Sequence, residues 1–413
     1  MCARSPNRVR ASLTHVRPRP IKSEELADAL AFAASKRVPA VVIGRGSNVL
    51  FADAGFDGVV IVNAIDTIER VFDRNRSGGE KSGDDDANES ESESNESSLW
   101  KVGAGYAFNH LGAALSKEGW SGLEFAVGIP GTVGGAVYMN AGADGGDTAT
   151  ALVEVECVSP DGGRRRIATF DDDDGGGGGG GGGERAATAS SGAFGYRTSP
   201  FQSRAHPGNP NRGREEDLDA EADAEEEEEE ESESELAGWI VASATFRLRR
   251  DPRANDRAKA FLRRRARAQP LSERSVGCVF RNPPITAVNP DGLSAGALID
   301  RAGLKGTRCG GAVVSEAHAN FLLYKEDADA DVDADVDADV DADARGGGSG
   351  GGGADEMEAL IRKVKAAVLE KTGVALREEV WRVPRSFSSV SFPDDDGGGG
   401  ASSSSSSAPP SPR

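Results

Sequence analysis

The chain has 413 residues, a formal net charge of −20 and 37% hydrophobic residues. Its four cysteines, Cys2, Cys157, Cys278 and Cys309, form no CxxC pair and do not group with the four histidines, which argues against a disulfide framework and a zinc site. With no run of about 18 apolar residues and no secretory h-region, we expect no membrane span and a soluble protein in a reducing compartment.

The length allows two or three domains, yet five tracts are of low complexity. Residues 74–98 are rich in Ser, Glu and Asp, 171–184 are an Asp run followed by Gly, and 215–235 are almost pure acid. Residues 326–354 repeat Asp-Ala-Asp-Val before a Gly run, and from 394 onward the chain is Gly and then Ser. Such sequence cannot bury enough apolar surface to offset its ordering entropy, and we expect disordered inserts and a tail. The acidic stretches 74–98, 171–184, 215–235 and 326–344 sum to −35 against a formal total of −20, which leaves +15 for everything else. The folding part is therefore basic and suits an anionic small ligand. The run RRRAR at 263–267 falls in a helical pattern, where a solvated face is expected in preference to nucleic-acid binding. Residues 1–15, MCARSPNRVRASLTH, are rich in Arg and Ser and free of acid, the chemistry of a short transit peptide.

In chain order, Ser23 is expected to cap a helix with Glu24 and Glu25 in its first turn, Leu26, Ala29, Leu30 and Ala33 on one face, and Lys36 and Arg37 at its end. A strand over 40–43 runs into Gly44-Arg45-Gly46-Ser47-Asn48, and a second covers 59–62. This loop is neither a GxGxxG fingerprint nor a P-loop, but its N–H groups and Ser47 suit a diphosphate. A strand at 100–104 and a helix at 107–117 lead to GIPGTVGGAVYMNAG at 128–142. Five glycines in that stretch imply backbone that approaches something closely, with Thr132 and Asn140 able to hydrogen-bond a flat polar ligand. A Gly-rich turn between two ordinary strands explains the composition equally well. Residues 153–159 and 164–169 form a hairpin around Asp161-Gly162-Gly163, and FGYRTSPF at 194–201 and residues 239–248 continue the strands.

The pattern switches near Asp251. A helix over 255–268 ends at Gln269-Pro270, and RSVGCVFRNP follows at 274–283. A helix at 294–302 is closed by Gly303, and LKGTRCGGAVVSEAHANFLLY spans 304–324. Asp355 is expected to cap a helix with Met357, Leu360, Ile361, Val364 and Val368 facing inward, ended by Gly373, before a strand at 376–383. These elements make a second domain of α+β type.

Taken in order, GRGSNVL, GIPGTVGGAVYMNAGA, YRTSPF, VGCVFRNP, AGLKGTRCGGAVVSEAHANF and LREEV resemble the motifs of the bacterial UDP-N-acetylenolpyruvoylglucosamine reductases, in their shorter subtype. With the inserts excised, the resemblance covers 16–383. It implies an α+β protein with a two-part FAD-binding domain of the non-Rossmann, vanillyl-alcohol-oxidase type over 16–250, carrying inserts at 74–98, 171–187 and 213–235. A substrate-binding domain over 251–390 with an insert at 326–354 would follow, with a leader at 1–15 and a tail at 391–413. The implied cofactors are FAD and NADPH, and the implied reaction reduces the enolpyruvyl ether of a UDP-sugar to the lactyl ether, making UDP-N-acetylmuramate for peptidoglycan by hydride transfer through FAD.

By the same resemblance Gly44, Arg45, Gly46, Ser47 and Asn48 would hold the FAD diphosphate, and Gly128, Pro130, Gly131, Thr132, Gly134, Gly135, Asn140 and Gly142 would line the flavin. Arg197 would stabilise charge on the substrate carboxylate, and Glu379 would assist by hydrogen bonding. Cys278, standing where the family usually has Ser, would donate the proton, its thiol pKa near roughly 8.5 making it a better acid than a hydroxyl. Tyr196, Asn282, Lys305, Ser315, His318 and Asn320 match substrate-side positions. Plainer readings exist for each: a surface arginine, a small core-filling cysteine, a charge shared with Glu378, a structural histidine.

Three departures are visible. No Thr-x-x-Gly-Gly-like opening segment precedes Val16, Asp144 stands where the family usually has an aromatic residue, and Arg274 stands where Pro is common. The long inserts suggest a eukaryotic version, and a peptidoglycan product then suggests the plastid stroma, the cytoplasm being the alternative. We expect a monomer that takes a UDP-sugar and binds no nucleic acid. Another FAD oxidoreductase of the superfamily and a non-catalytic flavin-binding remnant are the competing functions.

Overall fold

The computed structural model describes residues 19–71, 97–168, 187–188, 194–202, 234–270, 273–325 and 353–385. The expectations for the leader, the inserts and the tail lie outside the described residues, apart from one or two positions at the insert edges.

The first helix, α1 (Ser23–Ser35), buries Leu26, Ala27, Leu30 and Ala33, the face that the sequence spacing predicts. Its N-cap position is Lys22, with no side-chain cap bond, so Ser23 is the first helical residue and not the cap. The Glu25 carboxylate instead accepts from Ile21 N–H at 2.9 Å. β1 (Ala40–Ile43) and β3 (Val59–Val62) pair in parallel at the predicted positions, Ala40 opposite Val59. Between them lies β2 (Val49–Phe51), which local patterning does not reveal. β4 (Ile68–Val71) and β5 (Ser97–Gly103) belong to the main sheet. They are followed by α2 (Phe108–Lys117), β6 (Trp120–Ser121), a 3₁₀ turn at Glu124–Gly128, and α3 (Val133–Tyr138).

The main sheet is completed by the hairpin β9 (Leu152–Val158) and β10 (Arg164–Ala168), by β11 (Ala187–Thr188) and by β12 (Ile240–Arg250), after the small hairpin β7 (Gly142–Ala143) and β8 (Gly146–Asp147). Its order is β11-β10-β9-β12-β5-β4, with β6 on β12. Val102, Phe108, Leu111, Leu123, Leu152, Val155 and Phe246 form the core between this sheet and its helices. Each such fully buried side chain contributes about 1.5–3 kcal/mol relative to exposure. α4 (Ala254–Ala268) packs on the same body through Phe261 and a 2.6 Å ion pair from Arg257 to Glu124.

A second core is built on the sheet β13-β16-β15-β14: β13 (Ser275–Cys278), β14 (Arg308–Cys309), β15 (Ala312–Val314) and β16 (Phe321–Tyr324). α5 (Ala295–Arg301) and α6 (Ala354–Thr372) pack on it through Leu298, Ile299, Leu360, Ile361 and Val364. α6 has Gly353 at its N-cap, and its orphan N–H groups at Ala354 and Asp355 are accepted by Asp53 (3.0 and 3.1 Å). The cap therefore comes from the first body and not from Asp355. Gly373 ends the helix in the left-handed region, φ +71°, as predicted.

Two stretches differ from their sequence reading. FGYRTSPF is not a strand: Gly195 and Thr198 bridge across a tight turn, with Arg197 at φ +61°. At 376–383 only β17 (Trp381–Val383) is a strand, while Glu378 makes a single bridge to Phe280. β17 pairs in parallel with β2, Trp381 opposite Val49, and Leu50 joins the second core. This pairing, between residues 332 positions apart in the chain, stitches the two bodies together and carries the site.

Candidate active site

Two glycine loops form one wall. The β1–β2 loop has Gly46 at φ +69°, and the 128–132 loop has Gly131 at φ +111°, conformations that favour glycine. They touch each other: Ser47 Oγ donates to Pro130 C=O at 3.5 Å, and a Cβ built on Gly44 would overlap Thr132 Oγ1. Arg45 is exposed. The glycines of 128–142 serve different ends. A Cβ on Gly134 would stand 2.8 Å from Ala104 Cβ and one on Gly142 2.6 Å from Gly146 C=O, so these two allow chain to pack on chain. At Gly135 a Cβ would meet only Thr132 Oγ1, at 3.8 Å, and otherwise open space. Residues 133–138 are helical, so the stretch is neither bare ribbon nor a turn between strands.

Asn140, buried and at φ +39°, spends its side chain on protein. Its Nδ2 donates to Gly195 C=O at 2.9 Å, and its Oδ1 accepts from Ala149 N–H at 3.0 Å. It thereby pins the turn that carries Tyr196 and Arg197. Asn48 does likewise for the other wall: its Nδ2 donates to Glu379 C=O at 3.0 Å, and its own C=O accepts from Trp381 N–H at 3.1 Å.

Arg197, Cys278 and Glu379 come together from three segments. Arg197 Nε donates to Glu379 Oε1 at 2.8 Å and its Nη2 to Gly142 C=O at 3.0 Å. Glu379 N–H donates to Val279 C=O at 2.7 Å, which sets it beside Cys278. Alternation along this chain turns Glu378 the other way, into Lys365 (3.2 Å) and Arg382 (2.6 Å), so Glu379 is the glutamate that meets Arg197. Cys278 ends β13 at an irregularity where the preceding Gly277 takes φ +86°, and a Cβ built on Gly277 would stand 3.6 Å from Ser47 C=O.

Electrostatics change one expectation. Burial first, then the negative Glu379, push the Cys278 thiol up to about 12, with Arg265 and Arg197 opposing. The thiol is therefore a weaker acid than the free cysteine expected from sequence, and it stays protonated throughout the neutral range. Glu379 is itself raised by burial, against the pull of Arg197 and Arg281.

The substrate-side residues divide into two groups. Tyr196 is exposed, lies 5.0 Å from the Arg197 guanidinium, and accepts from Asn282 N–H at 3.4 Å. Lys305 pairs with Asp300 at 2.8 Å while staying partly exposed. His318 Nδ1 accepts from Asn320 N–H at 3.3 Å, so its proton sits on Nε2. Burial, then Lys305 and Arg265, hold it below the usual histidine range and keep it neutral. By contrast, Asn320 is buried and clamps both backbone groups of Phe280 (2.9 and 2.8 Å). Ser315 is buried, with Oγ accepting from Ala317 and His318 N–H, and Asn282 Oδ1 accepts from Ala295 at the start of α5. The side-chain bonds of Asn320, Ser315 and Asn282 are internal, and in this structure they act as struts.

The family comparisons bear on this arrangement. The model for "FAD binding domain" matches residues 82–168, and that for "UDP-N-acetylenolpyruvoylglucosamine reductase, C-terminal domain" matches 269–341. A UDP-N-acetylenolpyruvoylglucosamine reductase of Protochlamydia amoebophila is 34% identical over 355 residues, 86% of this chain and 83% of that one. The chain belongs to the UDP-N-acetylenolpyruvoylglucosamine reductase family. The Chlamydia trachomatis serovar L2 member is also 34% identical, over 84% of this chain and 82% of its own. The crystal structure of the Thermus caldophilus reductase aligns with a TM-score of 0.51 at 26% identity, covering 90% of this chain and 91% of that one. The α+β fold and the oxidoreductase class expected from sequence are thus those of the family.

FAD fits the residues present. Gly135 faces open space, the two loops present positive-φ glycine backbone, and two buried arginine atoms nearby, Arg265 Nε and Arg281 Nε, have no hydrogen-bond partner among the described residues. Sequence reasoning missed both arginines. In RRRAR, Arg263, Arg264 and Arg267 do lie on an exposed face, but Arg265 turns inward over Gly128. Its only signal was its place four residues after Phe261, on the helix face that packs on the core. Asp144, the departure from the reductase pattern, pairs with Arg264 at 3.1 Å and ties the β7–β8 hairpin to α4. Among the described residues no helix is long and apolar enough to cross a membrane, and no His/Cys/Asp/Glu group could hold a metal.

Proposed function

We propose that the protein reduces UDP-N-acetylglucosamine enolpyruvate to UDP-N-acetylmuramate, a peptidoglycan precursor, with NADPH as the source of electrons. The observation that carries this reading is the meeting of Arg197, Glu379 and Cys278 against the two glycine loops, with Arg197 held at 2.8 Å from Glu379. When bound, FAD supplies the two-electron chemistry between NADPH and the enolpyruvyl double bond. Residues 16–250 would bind it, through the loops at 44–48 and 128–135, and 251–390 would bind the UDP-sugar.

Arg197 neutralises charge that develops on the carboxylate as the double bond is reduced. Glu379 and Gly142 C=O fix its guanidinium, which saves reorganisation during the reaction. Cys278 Sγ holds a proton at neutral pH and gives it to the carbon that bears the carboxylate. Because the resulting anion is far more basic than a thiolate, a thiol pKa of about 12 still leaves the transfer downhill. Tyr196, Lys305 and the neutral His318 face the sugar and diphosphate, while Asn282, Ser315 and Asn320 keep their backbone in place. The acid-free leader and the peptidoglycan product support a plastid stroma location.

The test is NADPH consumption by the purified, FAD-loaded protein. Consumption that requires UDP-N-acetylglucosamine enolpyruvate and yields UDP-N-acetylmuramate is expected. Consumption indifferent to that UDP-sugar would overturn the proposal.

A further inference from the structure

The surroundings of Arg265 are unusual for an arginine. A Cβ on Gly128 would overlap its Cδ and stand 2.7 Å from its Nε, so the side chain lies flat on the loop expected to line the cofactor. That Nε is buried and has no hydrogen-bond partner among the described residues. Its neighbours on α4 are accounted for: Arg264 pairs with Asp144, and Arg263 Nε donates to Lys259 C=O at 3.2 Å. The titratable groups that bear on Arg265 are the Cys278 thiol, neutral at neutral pH, and the charged Asp144 and Arg197, and Arg265 acts in turn on Cys278 and His318.

The local charge does not balance. Arg197 and Arg281 both bear on Glu379, which Arg197 already engages, while the carboxylate that bears on Arg265 is Asp144, itself paired with Arg264. A buried guanidinium N–H left without an acceptor is costly, and an anion entering beside it would satisfy it. Chemistry narrows which anion. In an enolpyruvyl ether the carbon that takes the proton also bears the carboxylate, so wherever Cys278 acts, the carboxylate lies one bond from its target.

We infer that Arg265 is a second carboxylate-binding residue of the active site, which with Arg197 holds the enolpyruvyl carboxylate between Gly128 and Cys278. This rests on the function proposed above. Arg197 reaches the group from the 195–198 turn and Arg265 from α4, so the two cations fix the plane of the carboxylate as well as its charge.

The experiment titrates the FAD-loaded full chain, without NADPH, with UDP-N-acetylglucosamine enolpyruvate and separately with UDP-N-acetylglucosamine, which lacks the carboxylate, and reads the visible flavin spectrum. Arg265→Met should weaken binding of the first ligand roughly ten- to a hundredfold and leave the second unchanged. Arg265→Lys should recover part of the loss, since it restores charge without the planar fork. Equal weakening of both ligands, or of neither, would overturn the assignment. So would an altered flavin midpoint potential with unaltered enolpyruvyl binding, which would make the cofactor ring the anion. If Arg265→Met does not fold, the Arg265→Lys comparison between the two ligands decides. A wild-type protein that responds to neither UDP-sugar would overturn the functional proposal, and this assignment with it.

Discussion

Residues 128–142 approach the site with backbone, and residues 376–383 approach it with charge. In the first stretch most glycines answer to other parts of the protein: Gly134 to Ala104, Gly142 to Gly146, Gly128 to the Arg265 side chain. Only Gly135 faces open space. In the second stretch two adjacent glutamates separate by strand alternation, Glu378 into a buried cluster with Lys365 and Arg382, Glu379 onto Arg197. Glycine density alone therefore overstates how much backbone a ligand can reach, whereas a pair of like charges understates how differently two neighbours are used.

Substitutions can break this contrast, the charged side first. Arg197→Ala should lower kcat about 10²- to 10³-fold, the scale for loss of a preorganised charge at a reacting group. Steady-state kinetics with unchanged kcat would remove Arg197 from the chemistry. On the backbone side, Gly134→Ala must force a methyl against Ala104 and should cost about 1–3 kcal/mol of stability in denaturant unfolding. Gly135→Ala should raise the stability of the cofactor-free protein by about 0.5–1 kcal/mol, as alanine does within a helix, yet weaken FAD binding. Equal effects of the two substitutions on both quantities would mean that Gly135 faces no cofactor.

The smallest expected effect is a pH dependence. Because burial raises Glu379, the folded state holds its proton more tightly than the unfolded state. The stability this contributes is present at acid pH and is lost as pH rises through the raised value. Glu379→Gln removes the titration, so its melting temperature relative to wild type should rise from acid to neutral pH. A pH-independent difference between the two proteins would contradict the assigned direction.

Much of this was legible in sequence where the cause is local. Strands 40–43 and 59–62, the hairpin around Asp161-Gly162-Gly163, the Gly373 cap and the buried face of α6 follow from apolar period and turn chemistry. The motifs also placed Arg197, Cys278 and Glu379 at positions that the structure brings together. What was not legible depends on distant partners. β2 is three residues long and becomes a strand only by pairing with β17. The α6 cap comes from Asp53, some 300 residues earlier in the chain. Arg265 belongs to a run of arginines that composition marks as solvated, and only the packing of α4 on the 124–128 turn shows which one points inward. The thiol pKa, too, is a property of the cavity and not of cysteine.

The proposed reduction requires Cys278 to face the cofactor wall with a transferable proton. Rapid mixing of the FAD-loaded Cys278→Ala protein, first with NADPH and then with UDP-N-acetylglucosamine enolpyruvate, tests this most directly. Bleaching of the flavin absorbance by NADPH should proceed at the wild-type rate, and its return on adding the UDP-sugar should slow about 10²- to 10⁴-fold, the range for loss of a general acid. Return at the wild-type rate, or loss of both phases together, would contradict the account.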